Sequence, residues 1–306
     1  MPGNPSNIGA ATLMPGALVE NLRMHLTTQE AMLIDVVALA RRVGESASLH
    51  AGAASGRGGY DPRAAVLAGF DGHDVELGGA VERSVRDGLA AAVREARAAQ
   101  RPWREELVSA LIALGPDARV PAHPRLAAAW RVIVGALADA LPSRVLPLTR
   151  PLLVDDDMLE RLRKDALEVW RDGDGTLSQR PGRTGCRLAV SNSVLASVGA
   201  SLGYPVTSGL RANYLFYRTP SELMAPHIDT DEYDVTMILM LSRRRPADGS
   251  AGSALLTYRP DGSVQRIQLE PGDAVLVERG HVHAREPLKP GEQLTLLTLA
   301  FRAPQA

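Results

Sequence analysis

The sequence predicts an α+β protein, with a mainly helical N-terminal region (residues 1–142) and a strand-rich region (residues 143–306). Three observations predict it. Before residue 143, apolar residues recur at helical spacing within Ala-, Arg- and Glu-rich stretches. From Leu210 onward the chain changes to short apolar segments separated by turn residues, the pattern of a sandwich or barrel. Between two of those segments, Pro260-Asp261-Gly262-Ser263 carries the residues of a tight hairpin.

Taken in order, Thr27-Thr28-Gln29-Glu30 forms a capping box, and Leu33, Val36, Val37 and Ala40 follow as one apolar stripe. Residues 44–79 are rich in glycine, serine and alanine and read as loop, with at most one short helix around Arg63 to Leu67. Helices are expected over 82–100, 103–114 and 124–141, the last stopped by Pro142. A strand is expected at Val145-Leu146-Pro147-Leu148. Asp155-Asp156-Asp157 then suits a helix N-terminus through the macrodipole, with Leu159, Leu162, Ala166 and Val169 as the buried stripe. Residues 171–183 read as a Gly/Pro/Arg-rich loop, and 193–203 as a short helix ended by Gly203 and Pro205. Strands are expected over 212–217, 235–241, 254–258, 264–269, 274–277 and 294–301.

Composition removes several function classes. Among 306 residues, 45% are hydrophobic and 23% charged, ordinary values for a globular protein with a sizeable core. A net charge of −1 offers no basic field for nucleic acid, and aromatic residues at 4% are too few for a base-stacking platform. Arg243-Arg244-Arg245 is a single basic cluster and reads as a solvated turn. With Cys186 alone, neither an intramolecular disulfide nor a cysteine-rich zinc site can form. No secretory leader or membrane-spanning stretch is apparent, so a cytoplasmic protein acting on a small molecule is expected. Oligomeric state is not legible.

Chemistry concentrates at His227-Ile228-Asp229. In an extended strand alternate side chains share a face, so this imidazole and carboxylate point at one centre. A second imidazole from a later strand would complete the facial triad that holds Fe(II) with open positions. His281 and His283 both follow the apolar segment Asp273-Ala274-Val275-Leu276-Val277, and periodicity alone leaves both open. The plainer reading of His227 and Asp229 is a hydrogen-bonded pair at a strand end. His25, His50, His73 and His123 are scattered through the helical region and read as surface or loop residues.

Tyr217, then Pro226-His227-Ile228-Asp229-Thr230, then Thr236 in an apolar strand, resembles the proximal half of the Fe(II)/2-oxoglutarate-dependent oxygenases. Pro271-Gly272-Asp273-Ala274-Val275-Leu276-Val277, followed by His283, Pro287 and Gly291, is similar to their distal half. The resemblance spans roughly residues 145–302 and selects His283 over His281. It implies a double-stranded β-helix (jelly-roll) core braced by the preceding helices, with His227, Asp229 and His283 as both metal ligands and catalytic centre. It also implies Fe(II), 2-oxoglutarate and O2 as the reacting partners, with oxidative decarboxylation to succinate coupled to oxidation of a C–H bond. Because Asp229 keeps the carboxylate ligand, hydroxylation or desaturation of a small or amino-acid-derived substrate in specialised metabolism is implied, rather than halogenation. Tyr217 and Asn213 are expected along the cosubstrate pocket.

One position departs from the family. Where the resemblance leads to Arg or Lys followed by a hydroxyl residue, this chain has Gln293-Leu294-Thr295. Glutamine is neutral and makes no charge-assisted fork with a carboxylate, although Thr295 retains the hydroxyl. Arg285, two residues beyond His283 and so on the same strand face, is the expected replacement. Its plainer role is a surface ion pair with Glu286 or another acid. Arg211 and Arg218 are further candidates, and Arg302 a poorer one. Two other readings compete: a cupin-type dioxygenase or isomerase using His281 and His283 without 2-oxoglutarate, and a non-catalytic jelly-roll binding module.

Overall fold

The computed structural model describes residues 79–98, 103–122, 124–141, 143–148, 154–173, 175, 177–230 and 232–304. The expected helix after Thr27 and the glycine-rich loop up to residue 78 lie outside the described residues, as do His25, His50, His73 and His123. The chain divides into two compact units, one ending at Ala140 and the other made of Gly115–Val120 with Leu141 onward.

In the first unit, α1 (Gly79–Ala98), α2 (Arg104–Leu114) and α3 (Pro124–Ala140) match the expected helices to within three residues at either end. Pro124 opens α3, where a missing amide hydrogen costs nothing. Trp130, Ile133 and Leu137 are fully buried along α3. Gly135 leaves room for Arg86 of α1, because a Cβ there would stand 2.7 Å from its Nε. Arg86 then donates two hydrogen bonds to Asp139, at 2.5 and 2.7 Å.

The second unit begins with β1 (Val145–Leu148) and α4 (Asp156–Asp172). Asp155 caps α4 by accepting the amide of Met158 at 2.7 Å, as the acidic run predicts. β2 (Ser178–Gln179) lies within the stretch expected to be loop, and α5 (Arg183–Leu188) begins at its last residue. α6 (Asn192–Leu202) ends at Gly203, whose φ of 83° is open to glycine without strain. Eight further strands follow: β3 (Thr207–Tyr217), β4 (Met224–His227), β5 (Val235–Arg244), β6 (Leu255–Tyr258), β7 (Val264–Ile267), β8 (Ala274–Glu278), β9 (His283–Arg285) and β10 (Gln293–Arg302).

Two antiparallel sheets result, a larger one ordered β1-β8-β5-β10-β3-β2 and a smaller one ordered β4-β9-β6-β7. β3 pairs with β10, β4 with β9, β5 with β8, and β6 with β7. This nesting is a long hairpin wound across both sheets. It defines a double-stranded β-helix, the jelly-roll architecture.

β5 and β10 are buried on both faces, so their sequences run apolar without alternation. One face, with Met237, Leu239, Leu297 and Leu299, packs on Leu159 and Leu162 of α4 and Val198 of α6. The other, with Ile238, Met240, Leu294 and Leu296, packs between the sheets against Leu255 and Ile267. Removing one such leucine side chain would cost about 2–5 kcal/mol. Val169 packs only partly buried at the edge of the first cluster. Buried Asp165 accepts the Tyr214 hydroxyl at 2.6 Å and the amides of Thr184 and Gly185 at 3.2 Å. The carboxylate thereby seats α5 at the end of the Gly/Pro/Arg-rich stretch.

Candidate metal centre

His227 ends β4 and His283 begins β9, and the two face each other in register. Their Nδ1 atoms lie 2.8 and 3.0 Å from the carbonyl oxygens of Ala225 and His281. With a proton on each Nδ1 donating to its carbonyl, the Nε2 lone pairs are left to bind a metal. Asp229 lies two residues past His227, beyond the end of the strand rather than within it. Its Oδ2 accepts the Thr236 hydroxyl at 2.6 Å, so the neighbouring strand β5 fixes the carboxylate. One ligand atom from each of His227, Asp229 and His283 lies within 4.8 Å of the others. Two imidazoles and a carboxylate in this disposition suit a non-haem Fe(II), and the oriented nitrogens and anchored carboxylate fit such an ion.

The triad opens into a cavity of about 140 Å³ between the sheets, walled by Leu215, Met224, Ile238, Leu255 and Leu296. Tyr217, Tyr233, Thr298 and Arg285 complete its lining. Arg285 is 3% exposed, and its Nη2 has no hydrogen-bond partner among the described residues. Burial pushes its guanidinium below its usual pKa, and the neighbouring Tyr217 opposes the shift. Its guanidinium carbon stands 5.6 Å from the centre of the Tyr217 ring. Burial also raises the Tyr217 phenol, against the lowering influence of Arg285. Arg285 is therefore a cavity cation and not half of a surface pair. Glu286 is forked instead by Arg266, at 2.8 and 2.7 Å.

Several expected pocket residues lie elsewhere. Leu296 and Thr298 point into the cavity, so Gln293 and Thr295, at odd positions of the same strand, face the opposite side of β10. Thr295 accepts Arg218 Nη2 at 2.7 Å there, and Arg218 also donates to the Leu294 carbonyl at 2.7 Å. Arg218 thus serves the backbone on the outer face and does not reach the cavity. Asn213 is not part of the lining; its carbonyl accepts the Thr298 hydroxyl at 3.2 Å. Arg211 pairs with Glu232, and Arg302 donates to the Glu232 carbonyl at 3.1 Å. His281 precedes β9 in a turn and does not join the metal cluster. Burial and then the neighbouring His283 push its imidazole down to about 4. Thr236 as the anchor of Asp229, and Tyr233 in the cavity wall, were not singled out by spacing. A hydroxyl interrupting the apolar run of β5 was the available signal for the first.

No protein-family model matches the sequence, and no curated protein matches it. Similar solved structures include AviO1 from Streptomyces viridochromogenes Tue57, at 14% identity and TM-score 0.42, covering 52% of this chain and 92% of that one. Another is the non-haem α-ketoglutarate-dependent epimerase SnoN from nogalamycin biosynthesis, at 13% identity and TM-score 0.43, covering 56% and 79%. A Pseudomonas putida prolyl-4-hydroxylase matches at 16% identity and TM-score 0.39, covering 56% and 100%. Scores this low add no weight of their own: the fold stands on strand order and the site on its side chains. Among the described residues, no helix is long and apolar enough to cross a membrane.

Proposed function

We propose that the protein is an Fe(II)- and 2-oxoglutarate-dependent oxygenase acting on a small organic or amino-acid-derived substrate. The observation that carries this reading is the pairing of one facial triad with one buried cation in a single cavity. A buried guanidinium with one N–H unsatisfied is costly, and a carboxylate arriving from solvent relieves that cost through charge-assisted hydrogen bonds. A dicarboxylic keto acid satisfies both features, with one end at the metal and the other at Arg285.

In this reading His227, Asp229 and His283 hold the ion, and Thr236 keeps Asp229 oriented toward it. Fe(II) with 2-oxoglutarate and O2 supplies a two-electron oxidation of a C–H bond, coupled to release of succinate and CO2. Arg285 fixes the distal carboxylate, and Tyr217 supports the guanidinium through its ring face. The aliphatic walls exclude water, which strengthens the Arg285–carboxylate attraction. Hydroxylation and desaturation fit a site that retains its carboxylate ligand.

The test is anaerobic calorimetric titration of 2-oxoglutarate into Fe(II)-loaded protein, followed by succinate measurement on admitting air. Metal-dependent uptake and keto-acid turnover are expected. Metal binding without any keto-acid uptake would overturn the proposal.

A further inference from the structure

A second buried guanidinium lies close to Arg285. The Arg243 side chain, on β5, is 4% exposed. Its Nη1 donates to Gln268 Oε1 at 2.6 Å, its Nη2 donates to the Ala251 carbonyl at 2.6 Å, and its Nε finds no acceptor among the described residues. Three carboxyl-bearing residues are buried in the described structure. Asp165 seats α5 and Asp229 belongs to the metal centre, which leaves Glu292 for the two arginines.

Glu292 has a side chain with no exposure at all. Both its oxygens accept the Ser253 amide at 2.9 Å, Oε2 accepts the Lys289 amide at 3.2 Å, and Oε1 lies 3.5 Å from Arg243 Nη2. Ser253 ties this carboxylate to β9, because its hydroxyl donates to the carbonyl of Glu286, the residue after Arg285. Two residues further on, Leu255 is the register partner of Arg285. Gly252, at φ 65°, makes room for the pair, since a Cβ there would stand 2.4 Å from Glu292 and 2.6 Å from Arg243. The other acids nearby each have a nearer cation. Glu286 is forked by Arg266, and half-exposed Glu270 lies 3.2 Å from Arg245 but 3.9 Å from Arg243.

Two buried cations therefore share one buried carboxylate, with Glu270 and Glu286 acting on them from farther off, and Arg285 is the one of the two that lines the cavity. We propose that Glu292 sets the strength with which this cavity attracts an anionic keto acid, acting through the Arg243–Arg285 pair rather than by touching the ligand. The inference rests on the keto-acid reading of the same cavity. Removing the Glu292 charge raises the positive potential at Arg285 and tightens the anion. Removing the Arg243 charge leaves Glu292 to offset Arg285 alone and loosens the anion. In a partly screened interior each change is worth on the order of tenfold in affinity.

Opposite signs separate this from a merely structural network, whose disruption would weaken binding in both variants. The experiment titrates 2-oxoglutarate anaerobically into Mn(II)-loaded full-length protein, comparing wild type, Glu292→Gln and Arg243→Gln. Expected are roughly tenfold tighter binding for E292Q and roughly tenfold weaker for R243Q. Equal binding in all three, or weaker binding in both variants, would overturn the inference. If wild type takes up no keto acid, the functional reading falls and this inference with it. Should E292Q fail to fold alone, its recovery by 2-oxoglutarate supports the proposal, and persistent unfolding with 2-oxoglutarate present counts against it.

Discussion

His227 and His283 are register partners across β4 and β9, with ring centroids 4.3 Å apart and ring planes inclined at 51°. The antiparallel ladder brings together imidazoles from distant parts of the chain, and the backbone itself orients both through their Nδ1 atoms. A centre assembled in this way holds a cation only while all three donors are present. His227→Ala, Asp229→Ala and His283→Ala are each expected to weaken Fe(II) or Mn(II) binding at least 100-fold, as read by calorimetry. Wild-type affinity in any one variant would remove that residue from the ligand set.

Thr236 offers a finer test, because it orients a ligand without being one. Its hydroxyl bonds Asp229 at 2.6 Å on a buried strand. Thr236→Val keeps the shape and removes the hydrogen bond, and about 10- to 100-fold loss of metal affinity is expected. Thr236→Ser restores the hydroxyl and should recover most of it. Equal metal affinity in Val and Ser variants would show that Asp229 is held by other contacts.

The centre and the fold differ in how far local sequence reveals them. Strand β5 was legible because both faces are buried and its sequence runs apolar from Met237 to Leu241. Two-residue spacing pointed to His227, Asp229 and Arg285, although Asp229 lies past the end of β4 and is held by Thr236 rather than by strand geometry. Gln293 misled in one respect. It marks the absence of a family arginine, yet its side of β10 faces away from the cavity, so the position says nothing about the cavity's own cation. α5 escaped notice because its anchor, Asp165, comes from the preceding helix. Glu292 stands at no spacing that marks it, and its burial with Arg243 depends on contacts between two loops that no periodicity encodes.

Arg285 should separate cosubstrate binding from metal binding. Its unpartnered Nη2 and its place in the cavity lining predict that Arg285→Met raises the 2-oxoglutarate dissociation constant about 10- to 100-fold, by loss of a charge-assisted bond. Metal affinity should stay within a few-fold, because the triad's own contacts are untouched. Anaerobic titrations of metal and then keto acid measure both. Unchanged keto-acid affinity would rule out Arg285 as the clamp.

Acid sensitivity should trace in part to Glu286. Burial raises its carboxyl, but the Arg266 fork, the Ala254 amide and the charges of Arg266 and Lys289 outweigh this and leave it below its usual 4.5. A carboxyl depressed in the folded state contributes stability that is present above its unfolded value and is lost as pH falls through its folded value. Denaturant melts between pH 5 and about pH 3 should therefore fall less steeply for Glu286→Gln than for wild type. Parallel curves would show that the Arg266 fork adds nothing to acid stability.

Leu210 carries a local strain that substitution can read out. In the ladder, Leu299 faces Ala212 while Phe301 faces Ser208, so Gly209, Leu210 and Arg211 bulge out opposite Ala300 alone. Leu210 is forced to φ 54°, with its amide donating to the Ser208 hydroxyl at 3.1 Å and its side chain 84% exposed. A left-handed backbone costs a residue with a Cβ about 1–2 kcal/mol, and glycine escapes it. Alanine keeps the strain and removes the exposed side chain, so the Ala and Gly variants differ mainly in backbone. At ordinary strand positions glycine is the less stable of the two. Here Leu210→Gly should exceed Leu210→Ala by about 1 kcal/mol in urea unfolding, less whatever the more flexible unfolded glycine chain gives back. The reverse order would mean that residue 210 relaxes out of the left-handed region in solution.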